Sequence, residues 1–151
     1  MAYKEVRKYN DIAVVAVHDA FIDLSNWYFL RDDPSYYWVM LDTHHYQVFT
    51  DNFRQMSCDQ HRDFPCQMRS KLQQSNQKLW TVVGEWSLAT PQNCQNQAEF
   101  ARNQIGVFES VSGWIMWNFK HEVGWNEWDF LASYKKGWIP KLGGNRVAAT
   151  C

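Results

Sequence analysis

The sequence predicts a single α/β domain built on a parallel sheet. Four short apolar runs, rich in β-branched and aromatic residues, are typical of strands that are covered on both faces. Polar stretches with helical character separate the runs, as expected for βα units joined by right-handed crossovers. The length of 151 residues suits one domain, which we place at residues 1–151. The predicted strands are residues 12–17 (IAVVAV), 37–41 (YWVML), 79–83 (LWTVV) and 113–117 (GWIMW).

The helices are predicted from the segments between these strands. Residues 3–9 resemble the end of a helix that leads into the first strand. The stretch 52–77 is long and polar, and we expect Pro65 to interrupt it. Residues 98–111 carry apolar side chains at spacings of three and four, which predicts an amphipathic helix before a Gly-containing tail at 143–150. The apolar stripe of that helix consists of Ala98, Ala101, Ile105 and Phe108.

The charge and hydropathy of the chain argue against several kinds of partner. A net charge of −1 gives no reason to expect nucleic acid or an anionic membrane surface as a partner. No apolar run approaches the ~20 residues that a membrane-spanning helix needs. The first residues are charged and lack the apolar core of a secretory signal. We therefore expect a chain that is made without a signal or is cut from a longer precursor.

The cysteine and histidine spacings do not predict a metal site. The cysteines show no CxxC or Cys/His ligand pattern, and we expect one structural bridge plus free thiols. The doublet His44-His45 lacks an evident third ligand, and adjacent side chains on a strand point to opposite faces. Neither a metal nor a cofactor is therefore expected. The four cysteines are Cys58, Cys66, Cys94 and Cys151.

All four predicted strands end in polar groups, which is where parallel α/β proteins place their functional side chains. Glu85 directly follows the third strand. It is either a strand-end carboxylate paired with a basic side chain or a nucleophile that attacks an anomeric carbon. The four segments are HDAF at 18–21, DTHHYQVF at 42–49, GEWS at 84–87 and NFKHE at 118–122.

Other residues at these strand ends also allow two interpretations. His44 and Tyr46 are two positions apart, so both point to one face, where they either orient Glu85 or form ordinary half-buried hydrogen bonds. Asp19 either binds substrate hydroxyls or caps the following helix. Trp117 is either a core ring or a flat platform for a sugar. With 17% of the chain aromatic, core packing accounts for many such rings.

Taken together, VVGEWS, DTHHYQVF, HDAF and GWIMWNFKHE, followed by EWDF and GWIP, resemble consecutive motifs of fungal exo-β-1,3-glucanases of glycoside hydrolase family 5. The motifs occur in the right order along essentially the whole chain. The resemblance implies a half TIM barrel, (βα)₄, that corresponds to strands five to eight of the full fold. It also implies a β-1,3-glucan substrate, a retaining mechanism without a cofactor, and a secreted or cell-wall location.

The resemblance assigns a role to individual residues. Glu85 corresponds to the nucleophile, His44 and Tyr46 lie beside it at the −1 sugar, and Phe49 is one ring of an aromatic clamp. The segment that carries Cys94 looks shortened, so we expect this cysteine to have lost its usual partner, whereas a Cys66–Cys151 disulfide is implied. The implied substrate-binding residues are Asp19, Phe21, His44, Tyr46, Phe49 and Trp117.

The chain departs from the family in what lies before its first residues. Relatives place the general acid/base Glu after strand four, and this chain begins in the following helix. We therefore expect a protein that is weak or inactive alone, because protonation of the leaving group contributes about 10²–10⁴ in rate. Unpaired edges and an exposed inner face predict a homodimer. The alternatives are a non-catalytic β-glucan-binding or regulatory half-barrel and an obligate partner of a separate N-terminal half.

Overall fold

The chain folds around a four-stranded, all-parallel sheet in the computed structural model, which describes residues 2–141, 143 and 146–151. The strands lie side by side in chain order, and each pairs in parallel with the next. This arrangement confirms the predicted α/β class and is consistent with a (βα)₄ half-barrel. The strands are β1 (Val15–His18), β2 (Val39–His45), β3 (Trp80–Trp86) and β4 (Gly113–Trp114).

Helices cover one face of this sheet. The two longest, α4 and α5, pack against each other, and α4 also contacts β3. Single 3₁₀ turns at Leu24–Trp27 and Asn126–Trp128 complete the connections. The helices are α1 (Ala2–Arg7), α2 (Phe29–Asp32), α3 (Asp51–Arg54), α4 (Cys58–Lys78), α5 (Gln97–Phe108) and α6 (Phe130–Lys135). In the described part of the chain, none of these helices has both the length and the apolar character needed to cross a membrane.

The strand boundaries differ from the prediction at both ends. The first strand begins at Val15 because the backbone N–H groups of Ile12 and Ala13 donate to the side chain of Asn10 in a turn. The second and third strands extend past their apolar runs into the polar motifs and end at His45 and Trp86. The regular fourth strand is limited to Gly113–Trp114.

Pro65 does not interrupt the long helix, contrary to the prediction. The stretch 52–77 is divided earlier, where Ser57 begins α4 with a capping box. The hydroxyl of Ser57 accepts from the N–H of Gln60, and the Gln60 side chain accepts from the N–H of Ser57. This reciprocal cap satisfies free N–H groups of the first turn and so favours a helix start at this point. α4 then continues through the buried Pro65.

Helix α5 buries most of the predicted stripe, except for its first residue. Ala101, Ile105 and Phe108 are buried, but Ala98 is exposed and Phe100 is buried instead. The buried face is wide and includes the polar Asn103, whose amide N–H donates to the carbonyl of Arg62 in α4. This width follows from contact with both α4 and the sheet edge.

Two disulfides join α4 to its surroundings, and the described residues include no free cysteine. Cys58 pairs with Cys94, with Cα atoms 5.5 Å apart. The expectation that Cys94 has no partner is therefore wrong, since the segment before α5 returns to the first turn of α4. Cys66 pairs with Cys151, which is the pairing that the resemblance implies.

The C-terminal tail runs along α5. The N–H of Thr150 and its hydroxyl both donate to the Asn103 side chain, and the N–H of Val147 donates to Glu109. Residues 146–151 are therefore fixed by hydrogen bonds as well as by the disulfide. Residues 144 and 145 of the predicted tail lie outside the described residues.

The two faces of the sheet are very different in exposure. Leu41, Val83 and Trp86 are fully buried under the helices. On the opposite, inner face, Val14 is 47% exposed and Ile115 is 60% exposed. Apolar side chains on the inner face are thus uncovered in the single chain.

Candidate active site

Glu85 reaches the inner face of the sheet because β3 contains one extra residue opposite β2. Thr43 pairs with Val83, but the next pair is His44 with Glu85, so Gly84 has no partner. Side chains on a strand alternate between faces, and Thr81 and Val83 face the helices. Without the bulge, Glu85 would follow them into the core. With it, Glu85 shares a face with His44.

The carboxylate of Glu85 is held at one oxygen only. Tyr46 donates its hydroxyl proton to Oε2 across 2.6 Å, and Nδ1 of His44 lies 3.3 Å from the same atom. Among the described residues, Oε1 has no hydrogen-bond partner. The Glu85 side chain is 28% exposed. The carboxylate is therefore oriented through one oxygen, while the other faces solvent.

The phenol of Tyr46 remains a proton donor in this arrangement. Burial raises the pKa of Tyr46 well above its ordinary value, and the hydrogen bond to Glu85 raises it further. A phenolate beside a carboxylate would place two negative charges in contact. Tyr46 is thus a neutral donor to Glu85 at any pH in the physiological range.

Aromatic rings lie on two sides of these polar groups. The ring centre of Tyr46 lies 5.4 Å from that of Phe49 and 5.4 Å from that of Trp128. The ring centres of Phe49 and Trp128 are 6.1 Å apart. On the other side, Phe21 lies 5.0 Å from His18 and 6.1 Å from His44. Phe21 and Phe49 are 70% and 66% exposed, so both present ring faces to solvent.

Trp117 belongs to the same end of the sheet. Its backbone N–H donates to the carbonyl of Trp86, the residue after Glu85. The ring is 49% exposed, unlike the fully buried Trp86. Trp117 is therefore a half-exposed ring on the rim rather than a core ring.

Asp19 is buried, and its carboxylate oxygens are both engaged inside the protein. One accepts from the hydroxyl of Thr43 at 2.5 Å, and the other accepts from the backbone N–H of Phe21 at 2.9 Å. Asp19 does not cap the following 3₁₀ turn, which is capped by Asp23. Asp19 thus shapes the turn that carries Phe21.

His44 and His45 point in opposite directions. The ring of His45 lies on the helix side, 3.3 Å from the hydroxyl of Thr43, and burial lowers its pKa to about 4. His45 is therefore neutral near pH 7. The described residues contain no cluster of three potential ligands that could hold a metal ion.

A cavity of about 560 Å³ adjoins the site between β2 and α4. Its walls are mostly apolar, and it contains the neutral His45 and the buried Thr43. Glu85 and Trp117 do not line it. The cavity does include five of the residues predicted to bind substrate, namely Asp19, Phe21, His44, Tyr46 and Phe49.

The sequence analysis assigns no individual role to two residues of this site. Asp42 is only the first residue of DTHHYQVF and Gly84 only the first residue of GEWS. In the structure, Gly84 is the residue at which the register of β3 against β2 shifts. Asp42 precedes His44 by two positions, so the alternation that pairs His44 with Tyr46 also places Asp42 on the inner face.

Curated proteins resemble this chain over most of its length, although no family model matches it. A glucan 1,3-β-glucosidase of Blumeria graminis is 27% identical in an alignment 182 positions long, which covers 91% of this chain and 42% of that protein. The sporulation-specific glucan 1,3-β-glucosidase of Saccharomyces cerevisiae is 29% identical in an alignment 173 positions long, which covers 85% of this chain and 38% of that protein. The chain thus spans about two fifths of the length of these relatives.

A solved structure supports the fold alone. The crystal structure of AoRut matches with a TM-score of 0.68 and 16% sequence identity. The match covers 91% of this chain and 39% of that one. The described α/β architecture therefore occurs as part of a larger chain.

Proposed function

We propose that this chain is the nucleophile-bearing, C-terminal half-barrel of a retaining glycosidase of family 5 that acts on β-1,3-glucan. The observation that carries the proposal is the environment of the Glu85 carboxylate, with Oε2 hydrogen-bonded to Tyr46 and 3.3 Å from Nδ1 of His44, and with Oε1 open to solvent. The names of the relatives give the substrate class, because they are glucan 1,3-β-glucosidases. The proposed domain covers residues 1–151.

The proposed chemistry follows from the different surroundings of the two carboxylate oxygens of Glu85. Oε1 attacks the anomeric carbon as the bond to the leaving oxygen breaks, which forms a covalent glycosyl ester. Water then hydrolyses the ester and releases Glu85 with retained sugar configuration. Tyr46 and His44 keep the carboxylate in a fixed orientation throughout, so little reorganisation is needed at the moment of attack.

The leaving oxygen requires a proton from a second carboxyl about 5–5.5 Å from the first. In this proposal, that group comes from polypeptide equivalent to the first four strands of a full barrel. Without it, substrates with a poor leaving group react about 10²–10⁴ times more slowly. An aryl glucoside with a good leaving group needs no such proton, so it reports on Glu85 alone.

The proposed substrate contacts are aromatic stacking and hydrogen bonding around Glu85. Phe21, Phe49 and Trp117 present exposed ring faces that suit the apolar C–H faces of glucose. His44 and Tyr46 flank the −1 sugar. The buried Asp19 contributes indirectly, by fixing the turn that carries Phe21. The mechanism uses no cofactor and no metal.

We place the protein in an oxidising compartment, as for a secreted or cell-wall enzyme. The two disulfides support this location, since such bonds form and persist mainly outside reducing compartments.

For the assembly, we propose a homodimer that completes an eight-stranded, barrel-like unit. The support is the uncovered inner face, with Val14 and Ile115 exposed, and the unpaired outer edges of β1 and β4 in the described sheet. A two-fold pair is a closed solution in which each copy offers the same surface. Light scattering at micromolar concentration is expected to give twice the mass of 18.0 kDa. A stable monomer that binds no hydrophobic dye would contradict the homodimer. A chain that associates only with a separate N-terminal half, and not with a second copy of itself, would contradict it as well.

The catalytic proposal is tested with an activated 2-deoxy-2-fluoro aryl glucoside, which traps the glycosyl ester. Mass spectrometry is expected to find one sugar adduct on the peptide that contains Glu85. The Glu85→Gln variant is expected to form no adduct, whereas Glu5→Gln, a change at an exposed residue of α1, labels like the wild type. Equal labelling of the wild type and Glu85→Gln would remove Glu85 as the nucleophile.

A second candidate function is β-glucan binding without hydrolysis. The exposed rings of Phe21, Phe49 and Trp117 favour it, because a binding surface needs only these contacts. Retention on insoluble β-1,3-glucan, together with no adduct on Glu85, would support this alternative.

A further inference from the structure

A second cavity, of about 340 Å³, lies between the segment that follows β3 and the 3₁₀ turn at Asn126–Trp128. Its size falls in the range of small-molecule binding sites, about 300–1,000 Å³. Trp128 lines this cavity, and the ring centre of the same residue lies 5.4 Å from that of Tyr46. Neither Tyr46 nor Glu85 lines it. The cavity is therefore a neighbour of the candidate active site, separated from it by Trp128.

Covalent and backbone bonds hold the two walls of this cavity together. The Cys58–Cys94 disulfide ties the segment that follows β3 to the first turn of α4. The N–H of Leu88, in the same segment, donates to the carbonyl of Glu127 in the 3₁₀ turn at 2.9 Å. The cavity is thus preformed, and a ligand does not have to order these segments in order to bind.

The carboxamide of Gln97 is buried on one wall without a partner. Gln97 is 4% exposed, and among the described residues its buried Oε1 has no hydrogen-bond partner. The amide of Gln92 on the same wall is fully used, because its Nε2 donates to the carbonyl of Arg54 and its Oε1 lies 2.9 Å from Nε2 of His61. Native proteins leave few buried polar groups unpaired, since each one costs free energy. A ligand hydroxyl in the cavity would supply the partner that Gln97 lacks.

The other lining groups favour a neutral ligand that is rich in hydroxyls. Among the described residues, the walls carry no basic side chain and Glu127 supplies the only carboxylate, so an anionic ligand finds no counter-charge. Trp125 is 60% exposed, and its ring stacks on that of His121 at 5.1 Å, which leaves the opposite ring face for apolar C–H groups. Thr90 and Asn93 add polar side chains. A sugar ring matches these groups, because it combines apolar C–H faces with hydroxyls that both donate and accept.

We propose that this cavity is a second sugar-binding site, which takes one hexose unit of a neutral glucan with its C–H face on Trp125 and a hydroxyl on Gln97. The bound unit lies past Trp128, so it belongs to a chain of several sugars whose reacting unit is at Glu85. The assignment of the sugar as β-1,3-linked glucose rests on the proposed function. The preference for a neutral sugar rests on the lining groups alone.

The first test is a titration with laminaripentaose, followed in the ¹H–¹⁵N spectrum of the tryptophan indoles and by calorimetry. The indole signal of Trp125, assigned from correlations to its own backbone amide, is expected to shift in the wild type. Trp125→Ala is expected to bind about tenfold more weakly or worse, as for loss of an aromatic anchor. Tyr9→Ala, at a residue that is 88% exposed, is the control and is expected to bind like the wild type.

Two results of this titration would overturn the proposal. One is a Trp125 indole signal that stays fixed in the wild type as sugar is added, a measurement that requires no variant to fold. The other is an equal affinity of Trp125→Ala and the wild type.

Gln97→Leu separates a binding role of this residue from a structural one. The change replaces an unpaired buried amide by an apolar group of similar size, so the urea midpoint is not expected to fall. The affinity for laminaripentaose is expected to fall about 2–10-fold, the effect of one hydrogen bond. Gln73→Leu, at an exposed residue of α4, is the matched control and is expected to change neither quantity. A lower midpoint with an unchanged affinity would overturn the proposal.

An acidic oligosaccharide tests the preference for neutral sugars. Trigalacturonate carries carboxylates, and it is expected to leave the Trp125 indole signal in place because the walls offer no counter-charge. Binding of trigalacturonate as tight as that of laminaripentaose would contradict the neutral character of the site.

The glycosyl adduct on Glu85 separates this inference from the proposed function. If the adduct forms but Trp125→Ala and Gln97→Leu bind laminaripentaose like the wild type, the second sugar-binding site fails and the proposed function stands. If no adduct forms but binding depends on Trp125 and Gln97, the proposed function fails and the second site stands.

Discussion

Tyr46 donates a hydrogen bond of 2.6 Å to Oε2 of Glu85, and this bond joins the segment after β2 to the end of β3. The two residues are 39 positions apart in the chain. Parallel pairing of β2 with β3 brings them together, because both strands end at the same edge of the sheet. The bond fixes one oxygen of the carboxylate and leaves the other available.

Removing this bond is expected to weaken catalysis without unfolding the protein. Tyr46→Phe deletes only the hydroxyl, and a hydrogen bond to a charged group contributes about 1.5–3 kcal/mol. We expect adduct formation on Glu85 to slow by about 10–100-fold. Tyr9→Phe, at a residue that is 88% exposed, is the control. Equal labelling rates for Tyr46→Phe and the wild type would show that the bond does not assist Glu85.

Substitution of Gly84 is expected to destabilise the fold more than the same change at another strand glycine. In Gly84→Ala, the new methyl group overlaps the Asp42 carboxylate, and relief of such overpacking typically costs about 1–3 kcal/mol. In Gly113→Ala, the methyl group meets no atom within 4 Å. Urea unfolding measures both free energies of unfolding. The interpretation fails if Gly84→Ala is as stable as Gly113→Ala.

Each disulfide is expected to stabilise the folded chain appreciably. The chain-entropy model gives about 4–5 kcal/mol for the Cys66–Cys151 bridge, which closes a separation of 85 residues, and about 4 kcal/mol for Cys58–Cys94, with a separation of 36. The free energies of unfolding of two double variants, Cys66→Ser/Cys151→Ser and Cys58→Ser/Cys94→Ser, test each bridge in turn. Peptide mapping without reductant checks the pairing, and a Cys58–Cys66 or Cys94–Cys151 peptide would contradict it.

The stability of the protein is expected to fall in mild acid because of His45. Its pKa is about 4 in the folded chain, against ~6.5 when unfolded, since burial disfavours the charged ring. Between these values the unfolded chain binds more protons, so stability decreases as pH falls through this window. From pH 7.5 to 5, the loss from His45 is about 2 kcal/mol.

The matched comparison is His45→Asn, measured at both pH values. Burial also lowers the pKa of His61, but that contribution is present in both proteins and cancels between them. The variant is expected to lose about 2 kcal/mol less than the wild type over the same range. Identical losses would mean that folding does not lower the pKa of His45.

Local patterns in the sequence were sufficient to predict the α/β class, and they placed Glu85, His44 and Tyr46 at the ends of strands. Apolar runs marked the four strands because parallel strands are covered on both faces, and polar groups marked their ends. The same reasoning placed the boundaries wrongly, because β2 and β3 continue into their polar motifs as far as His45 and Trp86. Hydrogen bonding between strands, rather than hydropathy, sets those ends.

Only the tertiary structure decided which side chains meet. The partner of Cys94 depends on the packing of α5 beside α4, and nothing in the spacing of the cysteines specifies it. The direction of Glu85 depends on a one-residue register shift at Gly84, which reverses the side-chain alternation of β3. The sequence by itself determined that a carboxylate follows β3. Pairing with β2 decided that this carboxylate faces His44 and Tyr46, because register is a property of two strands together.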